Sequence, residues 1–471
     1  MDKIAKIVKS FTKEEYDFLY EGVSSNKADK SSLLLKIARE KDLDDKECVA
    51  ALDIKPNAFY TLKSRLNQKI ESYLISKMEA PKMDLIKKVS YAGDIFLTTD
   101  RTILTVMLKR LEKELSDYDL PYELTKIYQM LKKLYVTQPD QQYQYSQLYN
   151  KNVAYTLALD RAEDSIGRYF QAYGNYFMSK SAEDLIQLEV IQMELDNTAK
   201  LYESHRLFVY NSLAKVFHIL FVPSKNTQES LSDVEDIFLQ VNEIFAKFEN
   251  DTGYVQMAII FDFLKFEYYH KLGLPKKEAP FYEQVNFSLT SFLQHYNFFT
   301  FPAQFLLSKL ERINKIGNES AILEENETIL DGFTPDIKQL PTYVVYHIYL
   351  AICYFYNHNY KQAARTLNNL KNDVSFKNLP HIEMEIKLLL GLQYAKLKEE
   401  DMTLQLIKSV QRQIRNDESK DYNGAKMFIK VLNKIISGQG EKASDLLERY
   451  RINNIGEEAV LGYLKLDESK L

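Results

Sequence analysis

Residues 347–372 read HIYLAICYFYNHNYKQAARTLNNLKN, and the pattern of this stretch decides the fold. An apolar run is followed by a short polar segment, after which apolar residues recur at helical spacing. Asn359 and Gln362 form a capping pair at the start of the second part. Small residues at Ala351 and Ala363 would let two antiparallel helices approach closely. The stretch therefore predicts a helical hairpin.

This hairpin resembles a tetratricopeptide repeat. The residues that match the motif are Leu350, Ala351, Tyr354, Tyr360, Ala363 and Leu367. In that order they stand for the Leu-Gly pair, the Tyr that follows it, the aromatic residue that opens the second helix, the small residue at the helix crossing, and a leucine of the buried face. The resemblance implies an all-α fold in which antiparallel hairpins stack as a right-handed superhelix.

Weaker copies of the pattern occur elsewhere in the chain. Leu390-Gly391 with Tyr394 repeats the first helix, although Thr403 stands where the small Ala belongs. Tyr269 with Gly273 gives another partial match. Other segments share only the helical periodicity. The layout is similar to bacterial proteins that combine a short helical N-terminal region with a degenerate tetratricopeptide body.

The composition agrees with a helical chain. Gly and Pro together number 25 of 471 residues, less than half of the average usage of about 12%. This shortage argues against turn-rich sandwiches and barrels and against Gly-rich phosphate-binding loops. We expect about two dozen helices and no strand pair.

Three regions follow from the apolar pattern and its breaks. Residues 1–80 form a small N-terminal helical unit, 81–440 form the repeat body, and 441–471 form C-terminal capping helices. Several helix starts and ends carry local signals. These signals are capping pairs at Ser181, Ser232 and Asn359, a cap followed by proline at Thr334, and terminal glycines at Gly273, Gly317 and Gly438.

Charge and cysteine content limit the partners and the compartment. The net charge is −5, from 61 basic and 66 acidic residues, so the chain as a whole argues against nucleic acid or an anionic membrane as a partner. The N-terminus lacks the apolar stretch of a signal peptide, and the apolar runs are too short to span a bilayer. Cys48 and Cys353 fit small core residues in a reducing compartment. We expect a cytoplasmic protein.

No local signature of catalysis is present in the sequence. The seven His residues and two Cys residues show no metal-ligand spacing. Gly438 and Gly440 lack the strand and the Lys-Ser/Thr of a phosphate loop, and no Gly-x-Ser-x-Gly occurs. We therefore expect no catalytic, cofactor-binding or metal-binding residues, and a protein that is not an enzyme.

Residues 46–65 allow two interpretations. One is an ordinary helical hairpin, and the other is a helix-turn-helix that reads DNA. Residues 55–77 carry five basic side chains against one acidic one, but Val49 and Asp53 stand where the motif prefers Ala and Gly. The candidate DNA contacts are Asn57, Tyr60, Lys63 and Arg65.

The Tyr- and Gln-rich residues 138–149 also leave two readings open. They could form an irregular loop that leads into a helix near Tyr155, or an exposed patch for a peptide partner. Both readings place this stretch outside regular structure or at a surface.

The functional expectation is a non-catalytic scaffold or interaction protein. A peptide or protein partner would bind in the concave groove of the helical repeats through shape and aromatic contacts. The alternative is a transcriptional regulator with an N-terminal helix-turn-helix and a tetratricopeptide-like sensor body.

Overall fold

The structure is a computed structural model of the 471-residue chain. It describes residues 2–11, 13–24, 29–41, 43–76, 81–223, 233–249, 251–296, 298–319, 322–326, 333–416, 422–453 and 460–464. Within these residues the chain forms 23 α-helices and one short 3₁₀ segment, and it contains no strand. The predicted all-α class is confirmed for this part of the chain.

The chain divides into two compact units, 1–99 and 100–471. The first unit therefore extends beyond residue 80, where the sequence places its end, and includes one more helix. Its helices are α1 Asp2–Ser10, α2 Lys13–Ser24, α3 Asp29–Glu40, α4 Asp45–Leu52, α5 Pro56–Ser76 and α6 Pro81–Ile95. Its core is formed by fully buried side chains such as Val8, Leu34, Cys48 and Phe59.

The second unit is built from seventeen further described helices. These are α7 Arg101–Asp117, α8 Pro121–Leu134, α9 Pro139–Ser179, α10 Ala182–Leu201, α11 His205–Phe221, α12 Val234–Lys247, α13 Thr252–Lys271, α14 Pro275–Phe287, α15 Leu289–His295, α16 Ala303–Ile316, α17 Ile322–Glu325, α18 Leu340–Tyr356, α19 Tyr360–Asp373, α20 Pro380–Lys396, α21 Glu400–Asn416, α22 Asn423–Ile436 and α23 Gly440–Asn453. The 3₁₀ segment, η1, covers Val460–Tyr463.

Pairs of consecutive helices share one turn geometry. A three-residue turn joins α18 to α19, α20 to α21, and α22 to α23. The middle residues of these turns, His358, Lys398 and Gly438, have φ of +57°, +61° and +70°. In each turn the third residue donates its N–H to a carbonyl five residues earlier, at 2.9 Å. The same turn joins α7 to α8 at Asp119 and α13 to α14 at Gly273. The hairpin therefore recurs along the unit with identical helix ends.

Small residues occupy the helix crossings of these hairpins. Ala351 and Ala363 in α18 and α19 are fully buried. In the next hairpin, the hydroxyl of Thr403 donates to the carbonyl oxygen of Gly391 at 3.4 Å. A Cβ added to Gly391 would lie 3.3 Å from Leu432, which leaves little space there. Close packing at the crossing is therefore present in the second hairpin, where a Thr replaces the Ala of the first.

Residues 139–149 form the start of helix α9, so the prediction of an irregular loop there is wrong. The helix begins at Pro139 and continues for 41 residues, about 60 Å at 1.5 Å per residue. Proline fits the first helical position, and no Gly or Pro follows before Gly167 to break the helix. Tyr145 is buried and stacks on Tyr135 with ring centroids 5.4 Å apart. Tyr145 thus packs against the end of α8, whereas Tyr143 in the same stretch is exposed.

Most of the local boundary signals are confirmed. Ser181 and Asn359 cap α10 and α19, and Gly317 ends α16 with a positive φ. The helix start predicted at Thr334 is wrong, because the helix begins only at Leu340. Before it, the Asp336 side chain forms a turn in which it accepts a hydrogen bond from the Lys338 N–H at 2.9 Å. Ser232 lies outside the described residues.

Candidate functional site

The first helices of the C-terminal hairpins are buried by the chain itself. In α18, twelve side chains from Thr342 to Tyr356 are buried, and in α20 every side chain from Met384 to Gln393 is buried, including Glu385 and Lys387. Helix α9 contacts both α18 and α20, and η1 contacts α20. Other parts of the chain therefore cover much of the surface of α18 and α20. Among the matched motif residues, Leu350 and Leu367 are buried, and Tyr354 and Tyr360 are half-buried.

The C-terminal 3₁₀ segment is held by specific contacts. The carbonyl oxygen of Tyr463 accepts from the side-chain amide of Asn314 at 2.6 Å and from the Tyr356 hydroxyl at 3.0 Å. The N–H of Leu461 donates to Glu385 at 3.4 Å, and the side chains of Leu461 and Leu464 are buried. These contacts add to the covering of α16, α18 and α20.

An open apolar groove lies instead between α9 and α10. Its volume is about 590 Å³. Its lining is mostly apolar and is formed by Leu157, Ala158, Arg161, Val190, Met193, Glu194, Asn197, Thr198, Leu201 and Tyr202. The Leu157 side chain is 66% exposed. A contiguous apolar surface of this kind is typical of a site that binds another molecule.

Helix α10 carries two apolar stripes. Leu188, Ile191 and Leu195 are buried in the core. The second stripe is exposed to solvent by 57% to 74% and consists of Ile186, Val190, Met193 and Leu201. The steps of four, three and eight residues in this exposed stripe place its side chains on one face of the helix. We call it the α10 stripe; it forms one wall of the groove and extends beyond it at Ile186.

The rim of the groove is acidic. Residues 157–168 and 182–203 together contain nine Asp and Glu against three Arg and Lys, a net charge of −6. The three cations are engaged: Arg161 and Arg168 both pair with Glu194, the latter at 3.2 Å, and Lys200 pairs with Asp196. Glu183 and Glu189 on α10 and Asp160 on α9 are exposed. The groove thus combines an apolar floor with a negative field.

In the N-terminal unit, α4 and α5 form a tight hairpin. Asp53 adopts φ +47° directly after α4, the left-handed conformation for which a helix-turn-helix favours Gly. Of the candidate DNA contacts, Asn57, Tyr60 and Arg65 are exposed along α5. The ammonium of Lys63 donates to both carboxylate oxygens of Asp45, at 2.8 and 2.9 Å. This hydrogen bond lowers the pKa of Asp45 and neutralises the Lys63 charge locally.

A buried ionisable cluster lies among α13, α14 and α16. His270 Nδ1 is 2.9 Å from Glu278, to which Arg312 donates at 3.1 Å. Burial raises the pKa of Glu267 to about 7, and its Oε1 finds no hydrogen-bond partner within the described residues. In that same part of the chain, no group of three His, Cys, Asp or Glu side chains is placed to hold a metal ion. The cluster has the features of a packed ion network in the core.

The groove between α9 and α10 was not predicted from the sequence. Its signal was present, because Ile186, Val190 and Met193 follow helical spacing that the buried stripe of α10 does not need. Which stripe faces solvent depends on the packing of α9 and α11, and that packing cannot be read locally.

None of the helices that the structure describes is both long and apolar enough to cross a bilayer. No protein-family model, no curated protein and no solved structure matches this chain.

Proposed function

We propose that this chain is a non-catalytic interaction protein that binds a helical segment of a partner protein in the groove between α9 and α10. The observation that carries the proposal is the α10 stripe, since four large apolar side chains on one helix face remain in water. Covering them would contribute about 25 cal/mol for each Å² of apolar surface removed from water. The covered inner faces of α18 and α20 favour this groove over the concave side of the repeats.

The proposal includes a tetratricopeptide-like arrangement of the C-terminal hairpins as a right-handed superhelix. The recurring three-residue turns and the small residues at the crossings support it. In such arrays, neighbouring hairpins leave elongated surfaces that bind peptides. Here the proposed binding surface lies between α9 and α10, where the α10 stripe is exposed to solvent.

Site-specific photo-crosslinking tests the proposal. Val190 is replaced by p-benzoylphenylalanine in the full chain, and Leu239, 60% exposed on α12, serves as the matched control position. We expect a protein partner to be crosslinked in native lysate through position 190 and not through 239. Absence of any protein adduct at 190, or the same adducts at both positions, would contradict the proposal.

A second candidate function is DNA binding by α4 and α5. It is favoured by the left-handed turn at Asp53 and by Asn57, Tyr60 and Arg65 on one exposed face of α5. A gel-shift titration against salt tests it, because phosphate contacts give a steep salt dependence. Arg65→Ala should then weaken binding, whereas Lys63→Ala, which removes a cation already paired with Asp45, should change it less. Lack of binding at low salt ends this candidate.

A further inference from the structure

We infer that the partner segment is a basic amphipathic helix, with an apolar face that packs on the α10 stripe and Lys or Arg side chains that face the acidic rim. This inference rests on the proposed function and specifies the partner. Three features of the groove lead to it: its periodicity, its charge and one polar position within the stripe.

The periodicity of the stripe fits a helix. Ile186, Val190 and Met193 are separated by four and three residues, the spacing with which helices pack side chains against each other in a coiled-coil seam. From Ile186 to Leu201 the stripe runs about 22 Å, at 1.5 Å per residue. A partner helix of about four turns would cover it. A peptide that binds by strand addition would instead need an open sheet edge, and the described residues contain no sheet.

The charge of the rim selects a basic partner. The net charge of −6 over residues 157–168 and 182–203 exceeds the net charge of −5 of the whole chain. All three cations in these two segments already contact carboxylates. A second copy of the chain would bring an equal negative patch to the same surface, and like charges across an interface are unfavourable. A helix flanked by Lys and Arg is electrostatically complementary.

Asn197 interrupts the apolar character of the stripe. It is exposed between Met193 and Leu201 and lines the groove. A partner helix that covers it would leave its amide without water, and an unpaired buried polar group is costly. We therefore expect a polar residue of the partner opposite Asn197, which would fix the register as a single polar seam position does in coiled coils.

Designed peptides test the inference on the full-length protein. The probe is a fluorescent helix of about 18 residues, with Leu and Ile at seam positions, one central Asn and Lys at the flanks. An acidic twin carries Glu in place of Lys, and a scrambled peptide keeps the Lys content without an apolar face. Binding is measured by fluorescence anisotropy.

We expect saturable binding of the basic probe and at least about tenfold weaker binding of the other two peptides. Raising the ionic strength from about 0.01 M to about 0.15 M, which shortens the Debye length from about 30 Å to about 8 Å, should weaken the basic probe. Val190→Glu should reduce its affinity by at least about tenfold.

A charge reversal separates the role of the rim from that of the stripe. Glu189→Lys, beside Val190, should weaken the basic probe and strengthen the acidic twin. Glu243→Lys makes the same change at an exposed position on α12 and should alter neither. Equal binding of the basic and acidic probes would overturn the charge inference.

Three other outcomes also decide between the inference and its alternatives. If no peptide binds while position 190 still crosslinks a protein, the partner inference is wrong and the proposed function stands. If the chain dimerises in sedimentation and Val190→Glu abolishes the dimer, a second copy occupies the groove and the inference is overturned. If neither peptide binding nor crosslinking occurs, both fail.

Discussion

Arg206 and Asp251 form an ion pair in the interior of the second unit. Nη2 of Arg206 lies 2.7 Å from Oδ2 of Asp251, and the two side chains are only 11% and 1% exposed. The guanidinium Nε also donates to the carbonyl oxygen of Asp119 at 3.0 Å, and Asp251 accepts from the Gly253 N–H at 2.9 Å as the cap of α13. The pair thus ties α11 to the start of α13 and to the turn after α7.

Removing the charge of Asp251 should strongly destabilise this unit. Asp251→Asn retains an N-cap residue of good propensity but removes the carboxylate that pairs directly with the buried guanidinium. Loss of one partner of a buried pair costs about 3–5 kcal/mol, measured by urea unfolding. Asp100→Asn is the matched control, because Asp100 also caps a helix, α7, but is exposed to solvent. Similar losses for both variants would show that capping, not the ion pair, is the cause.

Two glycines of α9 should respond differently to alanine. A Cβ on Gly174 would lie 2.9 Å from the ring of Pro341, which is fixed in the first turn of α18. The overlap should outweigh the helix-propensity gain of about 1 kcal/mol and give a net loss of about 1–2 kcal/mol.

Gly167→Ala is the comparison for that substitution. Its Cβ would meet the ring of Phe298 at 2.8 Å, but Phe298 is 44% exposed and can rotate away. We expect Gly167→Ala to be neutral or stabilising in the same urea titration. Equal stabilisation by both substitutions would disprove a close approach of α9 to α18.

Because His218 is buried, the free energy of unfolding should fall as the solution becomes more acidic. Burial lowers its pKa to about 4 from 6.5, and its Nδ1 lies 3.0 Å from the Tyr169 hydroxyl. Between these values the unfolded chain binds a proton that the folded chain does not, so stability is lost as the pH falls from about 6.5 towards about 4, by up to about 3 kcal/mol. His218→Asn should remove this loss when urea midpoints at pH 7 and pH 5 are compared. An unchanged difference between the midpoints would refute it.

The buried Glu267 should have the opposite effect on the pH dependence of the free energy of unfolding. Burial raises its pKa from 4.5 to about 7, so the folded chain keeps a proton that the unfolded chain has released. The free energy of unfolding therefore falls as the pH rises from about 4.5 to about 7, by up to about 3 kcal/mol. Glu267→Gln should raise stability more at pH 7 than at pH 5. Because the slopes of His218 and Glu267 oppose each other, the unsubstituted chain should show a flatter pH profile than either variant.

The hairpin turns offer a stabilising substitution. Lys398 has φ +61°, a conformation that disfavours residues with a Cβ. Lys398→Gly should raise the free energy of unfolding by about 1 kcal/mol. The reverse change at the equivalent turn position, Gly438→Lys, should lower it by a similar amount. Thermal unfolding of the two variants checks both signs, and a shift of both in the same direction would contradict the equivalence of the turns.

The features that could be predicted from the sequence are those set by residues close together in the chain. Helical spacing and capping residues located α19 and α10 through Asn359 and Ser181, and the small residues at 351 and 363 marked a close crossing. The polar, nearly uncharged stretch around Tyr145 suggested a loop or a surface patch, and the burial of Tyr145 comes from Tyr135 at the end of α8. The left-handed turn residues His358 and Lys398 gave no signal, because their side chains do not reveal the backbone they adopt.

The groove between α9 and α10 could not be predicted from the sequence, because its exposure depends on tertiary packing. Val190 and Leu188 are both apolar residues of α10, and only the position of the neighbouring helices determines that Leu188 is buried and Val190 is exposed. The covering of α20 by α9 joins segments about two hundred residues apart, a distance over which no local pattern carries information.

The 41-residue helix α9 changes how this unit should fold. In a linear repeat array each repeat contacts only its neighbours, and terminal repeats can unfold one at a time. Here α9 contacts α8 and α10 near it in the chain and also α18 and α20 much later. Loss of the C-terminal hairpins would therefore expose apolar surface on α9 as well. We expect the unit to unfold in one cooperative transition, and its nucleus to form slowly because it joins distant parts of the chain.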